Sequence, residues 1–581
     1  MGGVRPEAQQ DLKKSAPTMV ARRAPVLWVA AAVLAGYLGA TAWPGAPTAV
    51  LARVALVFAV GALGLAAKAP RPEWNERKFA VGWGACFLVA GMLLAWAWHE
   101  TRVRVPAAEW AGLPEREATL TLRVKHVFVP RADTDYAGGL AEVVDAPEVF
   151  EELRSATVLY RVRVSPGGTS PPRGATIVEK GVLDYLPALT PNPADPNAEA
   201  AARFRAYLHA QGAWFELGRG RVLSSTPPDA WTRWLATAHA RIEAILREGP
   251  EGLENDYGNI YTALLLGEPA LLVPAQRTAL TVSGGIYLFA ISGLHVGVLS
   301  LAVWWVLRRM PGLPHAAGEV ITLAVAWLYV EIAGGTTSGR RVALMLTFYL
   351  IGKWLGRARS PLAAVVAAGV ATLIVDPLAL NNSGFELSYS VVLGLILYAP
   401  LLYTAVEARW KPWRDVPESS HAPWQKCVVW LWEKFAGMAV TSWTAVLGSA
   451  PLTAEFFGTF SGPILFINLL LFPLTCVALW AGAVAVAAGL GGFAPLTWLA
   501  WLANGAGLAV VGLMQDIALR APSRLFAQVE IIPPWAGSLA ALAVVLAMLL
   551  AQPKDRAPRW WYFALPVAIL AVAAVLTVRA V

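Results

Sequence analysis

The chain has 581 residues, of which 57% are hydrophobic and only 15% charged, and its mean hydropathy is +0.52. Soluble domains carry about 25% charged residues, so this composition excludes an ordinary soluble protein and predicts one built into a membrane. A formal charge of +8 would suit an acidic partner, but excess Lys and Arg in a membrane protein usually marks cytoplasmic loops. Three cysteines without CxxC spacing make neither a disulfide framework nor a thiolate metal site.

In chain order, residues 1–24 read as a cytoplasmic basic tail and residues 25–98 as three transmembrane helices, near 25–43, 48–67 and 79–98. The first could be mistaken for a signal peptide; with two more spans close behind and no evident cleavage site, it is expected to be retained. Arg22, Arg23, Lys68, Arg71, Arg77 and Lys78 put the N-terminus inside, so the following segment lies outside. Residues 99–228 change character. "ATLTLRVKHVFV", "ATVLYRVRV", "GATIVEKGVL" and "AWFELGRGRVL" alternate apolar and polar residues between Pro/Gly-rich turns, which predicts a small extracytoplasmic all-β domain, a barrel of about five strands. Over residues 99–225 it holds 15 Lys/Arg against 16 Asp/Glu, so it is no basic nucleic-acid surface as a whole, although Arg161, Arg163 and Arg173 could form a local basic face.

Residues 229–254 contain an amphipathic helix with Trp231, Trp234, Leu235, Ala238, Ile242, Ile245 and Leu246 on one stripe, expected to lie in the membrane interface or to pack on the soluble domain. Residues 255–581 read as about ten spans, near 279–306, 319–333, 341–356, 361–379, 386–404, 435–454, 463–488, 494–514, 535–551 and 560–579. Threading them places Arg308, Arg309, Lys353, Arg357, Arg359, the loop 406–434, Lys554, Arg556 and Arg559 inside, with Arg520 and Arg524 the one misfit. The fold class is thus a polytopic α-helical membrane protein of about thirteen spans with an inserted β domain.

Polar residues inside these spans are the functional candidates. In "AISGLHVGVLS", Ser292 and His295 stand at i and i+3 of the expected span, sharing a face and pointing outward side by side. Helix packing, a pore lining and, more remotely, a serine hydrolase are the readings open to them. Glu331, Arg340, Arg341, Asp376, Glu386, Ser388, Glu455 and Asn468 lie in the same block. Charges at that depth cost at least about 2.5 kcal/mol each unless paired or hydrated, so a transport pathway is expected, against the plainer reading of Glu331 with Arg340 or Arg341 as ion pairs at a turn. Gly and Pro breaks beside them, at Gly334, Gly335, Pro377, Gly384, Gly458 and Pro473, predict interrupted helices.

These strings resemble the ComEC family of competence proteins, inner-membrane channels for single-stranded DNA in natural transformation. The resemblance is carried by "LLLGEPALLVPAQRTALTVSGGIYLFAISGLHVG", "LYVEIAGGTTSGRRVALM", "DPLALNNSGFELSYSVVLGL" and "APLTAEFFGTFSGPILFINLLLFP", and by "NPADPNAEAAARFRAYLHAQG" at the end of the soluble region. It implies that the β domain is OB-like and that residues 255–581 form the channel. Channel or DNA-path candidates are then Ser292, His295, Arg340, Arg341, Asp376, Phe385, Glu386, Ser388, Glu455 and Asn468; helix-break and packing candidates are Gly284, Gly293, Gly334, Pro377, Gly384 and Gly458. Tyr287, Glu331, Glu386 and Glu455 depart from the family pattern, and the three carboxylates motivate an alternative, an ion-coupled transporter of a small solute.

The resemblance implies no catalytic residue, cofactor or metal in this region. Many members carry a metallo-β-lactamase-like domain with an HxHxDH motif; no HxH pair occurs among the seven histidines, so no nuclease activity is expected. The implied partners are single-stranded DNA, the lipid bilayer, an extracytoplasmic DNA receptor, a separate nuclease and a cytoplasmic ATPase, since no GxxxxGK[ST] pattern is present.

Overall fold

The computed structural model describes residues 26–67, 76–103, 110, 114–128, 136–163, 170–189, 198–248, 256–356, 360–457, 459–461, 464–520, 526–528, 540–541 and 543–544. They fall into two compact units, one of Val26–Ala238 with Gly369–Asn382, the other of His239–Ala368 with the residues from Ser383 onward.

The first unit begins with three apolar helices, α1 (Val26–Ala42), α2 (Thr48–Ala67) and α3 (Glu76–Arg102). Gly36 lets α1 approach α3 so closely that a Cβ there would lie 2.3 Å from the Met92 carbonyl. Five strands follow: β1 (Arg116–Phe128), β2 (Tyr136–Asp145), β3 (Thr157–Arg163), β4 (Thr176–Tyr185) and, after helix α4 (Ala198–Ala210), β5 (Ala213–Thr226). They close into a barrel in the order β1-β2-β3-β5-β4, antiparallel except for the parallel β3–β5 pair. Period-2 alternation is what closes it: Ala118, Leu120, Leu122 and Val124 of β1 and Val158, Tyr160 and Val162 of β3 point into one buried core. Four of the five strands coincide with the alternating stretches in the sequence. The fifth, β2, was hidden by Gly138 and Gly139, which interrupt the alternation because the barrel is tight there. A Cβ on Gly139 would sit 2.0 Å from the His126 carbonyl and one on Gly138 2.8 Å from that of Tyr160.

Four of the barrel's surface cations are paired: Lys125 with Glu142, Arg161 with Glu216, Lys180 with Glu117 and Arg219 with Glu115, at 3.0–3.7 Å. The basic face expected around Arg161 therefore carries a carboxylate. Helix α5 (Ala230–Arg247) follows. At its start Trp231 and Trp234 are exposed and stacked with ring centroids 5.1 Å apart.

In the second unit the end of α5 is buried through Ile245 and Leu246, and Asn504 caps it by donating from Nδ2 to the Ile245 and Glu248 carbonyls, two of the groups a helix C-terminus leaves open. The helices are α6 (Asp256–Leu266), α7 (Pro274–Ser283), α8 (Gly293–Leu307), α9 (His315–Ile332), α10 (Thr337–Trp354), α11 (Pro361–Val375, whose end belongs to the first unit), α12 (Ser383–Leu397), α13 (Ala399–Trp410), α14 (Pro423–Phe457), α15 (Ile464–Gly489) and α16 (Ala494–Leu519). Between α14 and α15 the short strand β6 (Thr459–Ser461) pairs with β7 (Phe526–Gln528), which follows α16. The core gathers Tyr261 and Leu264 of α6, Leu280 of α7, Leu471 of α15 and Val511 of α16.

Among the described residues four helices are long and apolar enough to cross a membrane, His315–Ile332, Pro423–Phe456, Ile467–Gly489 and Ala494–Leu519; α12 and α13 together make a fifth, bent by 41°. Shorter apolar helices account for other expected spans. The expected spans at 535–551 and 560–579 lie almost wholly or wholly outside the described residues, as does Gly458. The continuous span expected over 279–306 is corrected. It is α7, a 3-10 turn at Ile286–Phe289, and α8. Unbroken hydrophobicity cannot report such a break, because a buried turn is as apolar as a buried helix.

Candidate functional site

The broken segment carries several linked polar contacts in the second unit. Helix α7 ends where Gly284 takes φ +78°, a left-handed C-cap that a glycine adopts without strain. After the 3-10 turn, Ser292 is extended and serves as the N-cap of α8, so Gly293 is the first helical residue. This overturns the side-by-side geometry expected for Ser292 and His295. Ser292 stands outside the helix and swings back, and its Oγ lies 3.1 Å from His295 Nδ1, with its own amide donating to the same nitrogen at 3.4 Å. A third-position side chain bonding the N-cap amide is one half of a capping box, with histidine in place of Glu or Gln.

The other ring nitrogen settles the tautomer. His295 Nε2 is 2.9 Å from the Leu264 carbonyl, and a carbonyl only accepts, so Nε2 carries the proton and Nδ1 accepts from Ser292. Leu264 lies in the last turn of α6, where carbonyls lack helical partners. The next one, Leu265, accepts from the Tyr329 hydroxyl at 2.7 Å. His295 of α8 and Tyr329 of α9 thus cap the end of α6. On the far side of the break Tyr287 donates to Asn468 Oδ1 of α15 at 2.8 Å, and Gly267, at φ +72°, admits Ile291, whose Cγ1 would be 2.4 Å from a Cβ there. The break is thus held from the end of α6 and from α15.

A second cluster adjoins it. A Cβ on Gly293 would lie 3.7 Å from Val342 of α10, and Ile291, Val296, Val330 and Ala343 share one apolar cluster. Beside Val342, Arg341 is 3% exposed; its Nη2 donates to the Gly384 carbonyl in the first turn of α12 at 2.6 Å, its Nε has no partner, and no carboxylate pairs with it among the described residues. Buried charge without a counter-ion is costly, so this guanidinium is a stored positive charge with donors to spare. Phe385 and Tyr389 pack tilted with centroids 4.4 Å apart in the same turn of α12, and Ser390 donates to the Gly448 carbonyl of α14.

Arg340 behaves otherwise. It clasps Glu331 with two hydrogen bonds of 2.7 and 2.8 Å across the turn at Gly334 and Gly335, both of positive φ. That is the plain ion pair at a turn, and it takes Glu331 out of the set of free carboxylates. Glu386, Ser388 and Glu455 are half-buried on α12 and α14. Asp376 and Pro377 belong to the first unit, where the Asp376 carboxylate accepts from the Leu378 amide and caps the 3-10 turn Pro377–Asn381. The structure thus brings Ser292 and His295 together and links Asn468 to the same break, while Asp376 stands in the other unit. Sequence reasoning passed over Tyr329, one tyrosine in an apolar run, and Glu319, which is buried and held by Lys353 and the Trp354 indole. A tyrosine in such a run is a signal worth reading, because its hydroxyl needs a partner when buried.

The family model described as "Competence protein" matches residues 264–554, a stretch that opens on Leu264 itself. The chain belongs to the ComEC family of competence proteins. It is 26% identical over 373 residues to ComE operon protein 3 of Bacillus subtilis (strain 168), covering 64% of this chain and 42% of that one. It is 32% identical over 172 residues to competence protein ComA of Neisseria gonorrhoeae, covering 27% of this chain and 25% of that one. The chain therefore spans under half the length of the curated relatives it matches. No solved structure matches significantly. Within this competence protein the matched region contains the whole broken segment, Arg341 and Asn468.

Proposed function

We propose that this competence protein is an inner-membrane channel through which single-stranded DNA enters the cytoplasm during natural transformation. The observation that carries the reading is Arg341, a buried, unneutralised guanidinium beside interrupted helices in a chain of the competence family. Interrupted helices persist at membrane depth where protein or water covers the backbone, and a fixed cation with free donors suits a passing phosphate. The barrel is read as an OB-like extracytoplasmic domain. Support comes from its five strands and their 1-2-3-5-4 closure with β3 parallel to β5, a small Greek-key barrel of the kind that binds oligonucleotides. An extracytoplasmic DNA receptor, a cytoplasmic ATPase and a separate nuclease complete the proposed machinery, and the polytopic part performs no catalysis. The ion-coupled transporter is not favoured, because Glu331 already has its cation.

The test is uptake of labelled DNA by a deletion strain complemented with wild type, Arg341→Lys or Arg341→Ala. Wild type restores uptake, Arg341→Lys retains part of it, and Arg341→Ala, present in the membrane at normal level, loses most of it. Undiminished transformation in the deletion strain would sink the channel reading.

A further inference from the structure

Helix α5 belongs to the second unit from His239 onward, and both ring nitrogens of that histidine are engaged. Nδ1 lies 2.9 Å from the Ile332 carbonyl of α9, and Nε2 lies 3.3 Å from Glu268 Oε1, in the turn after α6. Neither partner can donate, because a carbonyl and a carboxylate only accept. A neutral imidazole has one N–H and serves one of them; the doubly protonated ring serves both. His295 is the contrast: one of its partners is the Ser292 hydroxyl, which can donate, so a single ring proton suffices there.

The surroundings favour a charge on His239. At the end of α9 the carbonyls of Tyr329, Val330 and Glu331 accept from the amides of Ala333, Gly335 and Gly334, and His239 supplies the donor for the next one, Ile332. A cation at a helix C-terminus meets the negative end of the helix dipole. The charged groups that act on the ring are Glu268 and, one turn along α5, Glu243, which Arg247 pairs at 2.7 Å. On the α9 side, Glu331 is clasped by Arg340. The hydrogen bond to Glu268 raises the affinity of the ring for its second proton above the ordinary value, against the opposing effect of burial.

We propose that His239, as an imidazolium, is a pH-sensitive latch that fastens the second half of α5 to the end of α9 and to the turn after α6. Below about pH 6.5 the latch is fully closed in its contribution to stability. As pH rises through the raised value of the folded protein, the ring gives up one proton and one of its two bonds, and that contribution is lost. The latch is independent of the solute the chain conducts, so it stands apart from the channel reading.

The test is hydrogen exchange of the α5 amides after His239 in the full-length protein in neutral detergent, corrected for intrinsic rates, in steps from about pH 5 to about pH 9. The parent carries Glu179→Gln, which removes a carboxyl buried in the barrel. Protection in the parent should fall about fivefold with rising pH. His239→Gln, neutral throughout and able to donate to one partner, should be low and level. Glu268→Gln, at a side chain 42% exposed, should keep the fold and move the fall to lower pH. The proposal is overturned if the parent is level, if His239→Gln keeps the parent's pH dependence, or if Glu268→Gln leaves the midpoint where it was.

Discussion

Two polar side chains show how far a residue can be read before its neighbours are known. Ser292 and His295 are conspicuous in the sequence, but three-residue spacing describes a contact only if both sit in one helix, and the helix begins at Gly293. Their role here is to hold the break closed. His295→Ala strands the Leu264 carbonyl and the Ser292 amide and should cost about 2–4 kcal/mol, whereas Ser292→Ala removes one hydrogen bond and should cost about 1 kcal/mol. Melting midpoints of the purified variants check both, and an unshifted midpoint in His295→Ala would leave only a pore-lining role. Glu179 had no signal in the sequence, standing in an alternating strand like any surface carboxylate. The barrel buries it fully, with neither oxygen hydrogen-bonded and Oε1 where a Gly220 Cβ would be, 1.8 Å away. Burial pushes its carboxyl up from 4.5 to about 8, so the folded state holds a proton that the unfolded state releases. Its contribution to stability is therefore complete below pH 4.5 and falls away as pH rises to about 8, by on the order of 5 kcal/mol across the window. Hydrogen exchange of the β4 amides, corrected for intrinsic rates, should show protection falling between pH 6 and pH 9 in wild type and level in Glu179→Gln. Equal protection at both pH values in wild type would refute the buried-proton account.

At the scale of elements, alternation and hydrophobic runs located most strands and helices, and failed where two backbones touch. Strand β2 was missed because Gly138 and Gly139 serve contact with neighbouring strands rather than the period of their own. The span at 279–306 was read as one helix because its interruption is buried by Ile291, Leu288 and Phe289, residues no less apolar than a helix core. Glycine substitutions separate the two kinds of position. Gly267→Ala meets both a positive φ and Ile291 at 2.4 Å and should destabilise by about 1–3 kcal/mol, visible as a lower melting midpoint and reduced membrane yield. Gly293→Ala, open apart from Val342 at 3.7 Å, should lie within about 0.5 kcal/mol of wild type. A reversal of that order would mean that the break is not packed as described.

For the whole molecule, the two readings of transport make opposite predictions about one ion pair. Glu331 and Arg340 bind each other and are partly exposed, a kind of pair typically worth about 0–1 kcal/mol. The double variant Glu331→Gln with Arg340→Gln should therefore keep DNA uptake within about threefold of wild type, measured in the complemented strain. Abolished uptake with normal protein level would instead restore Glu331 as a coupling site. Composition and hydropathy by themselves determined that this chain enters a membrane and interrupts its helices with a small β domain, because burial in lipid and the period-2 pleat act on each segment independently of its distant neighbours. The ordered motifs determined the family. Only the tertiary structure decided that the Ser292–His295 pair is a cap, that Arg340 is spent on Glu331 while Arg341 is not, and that Glu179 is buried. Each depends on which backbone carbonyl or carboxylate lies within about 3 Å of a side chain, a distance that residues far apart in sequence acquire only when the chain is packed.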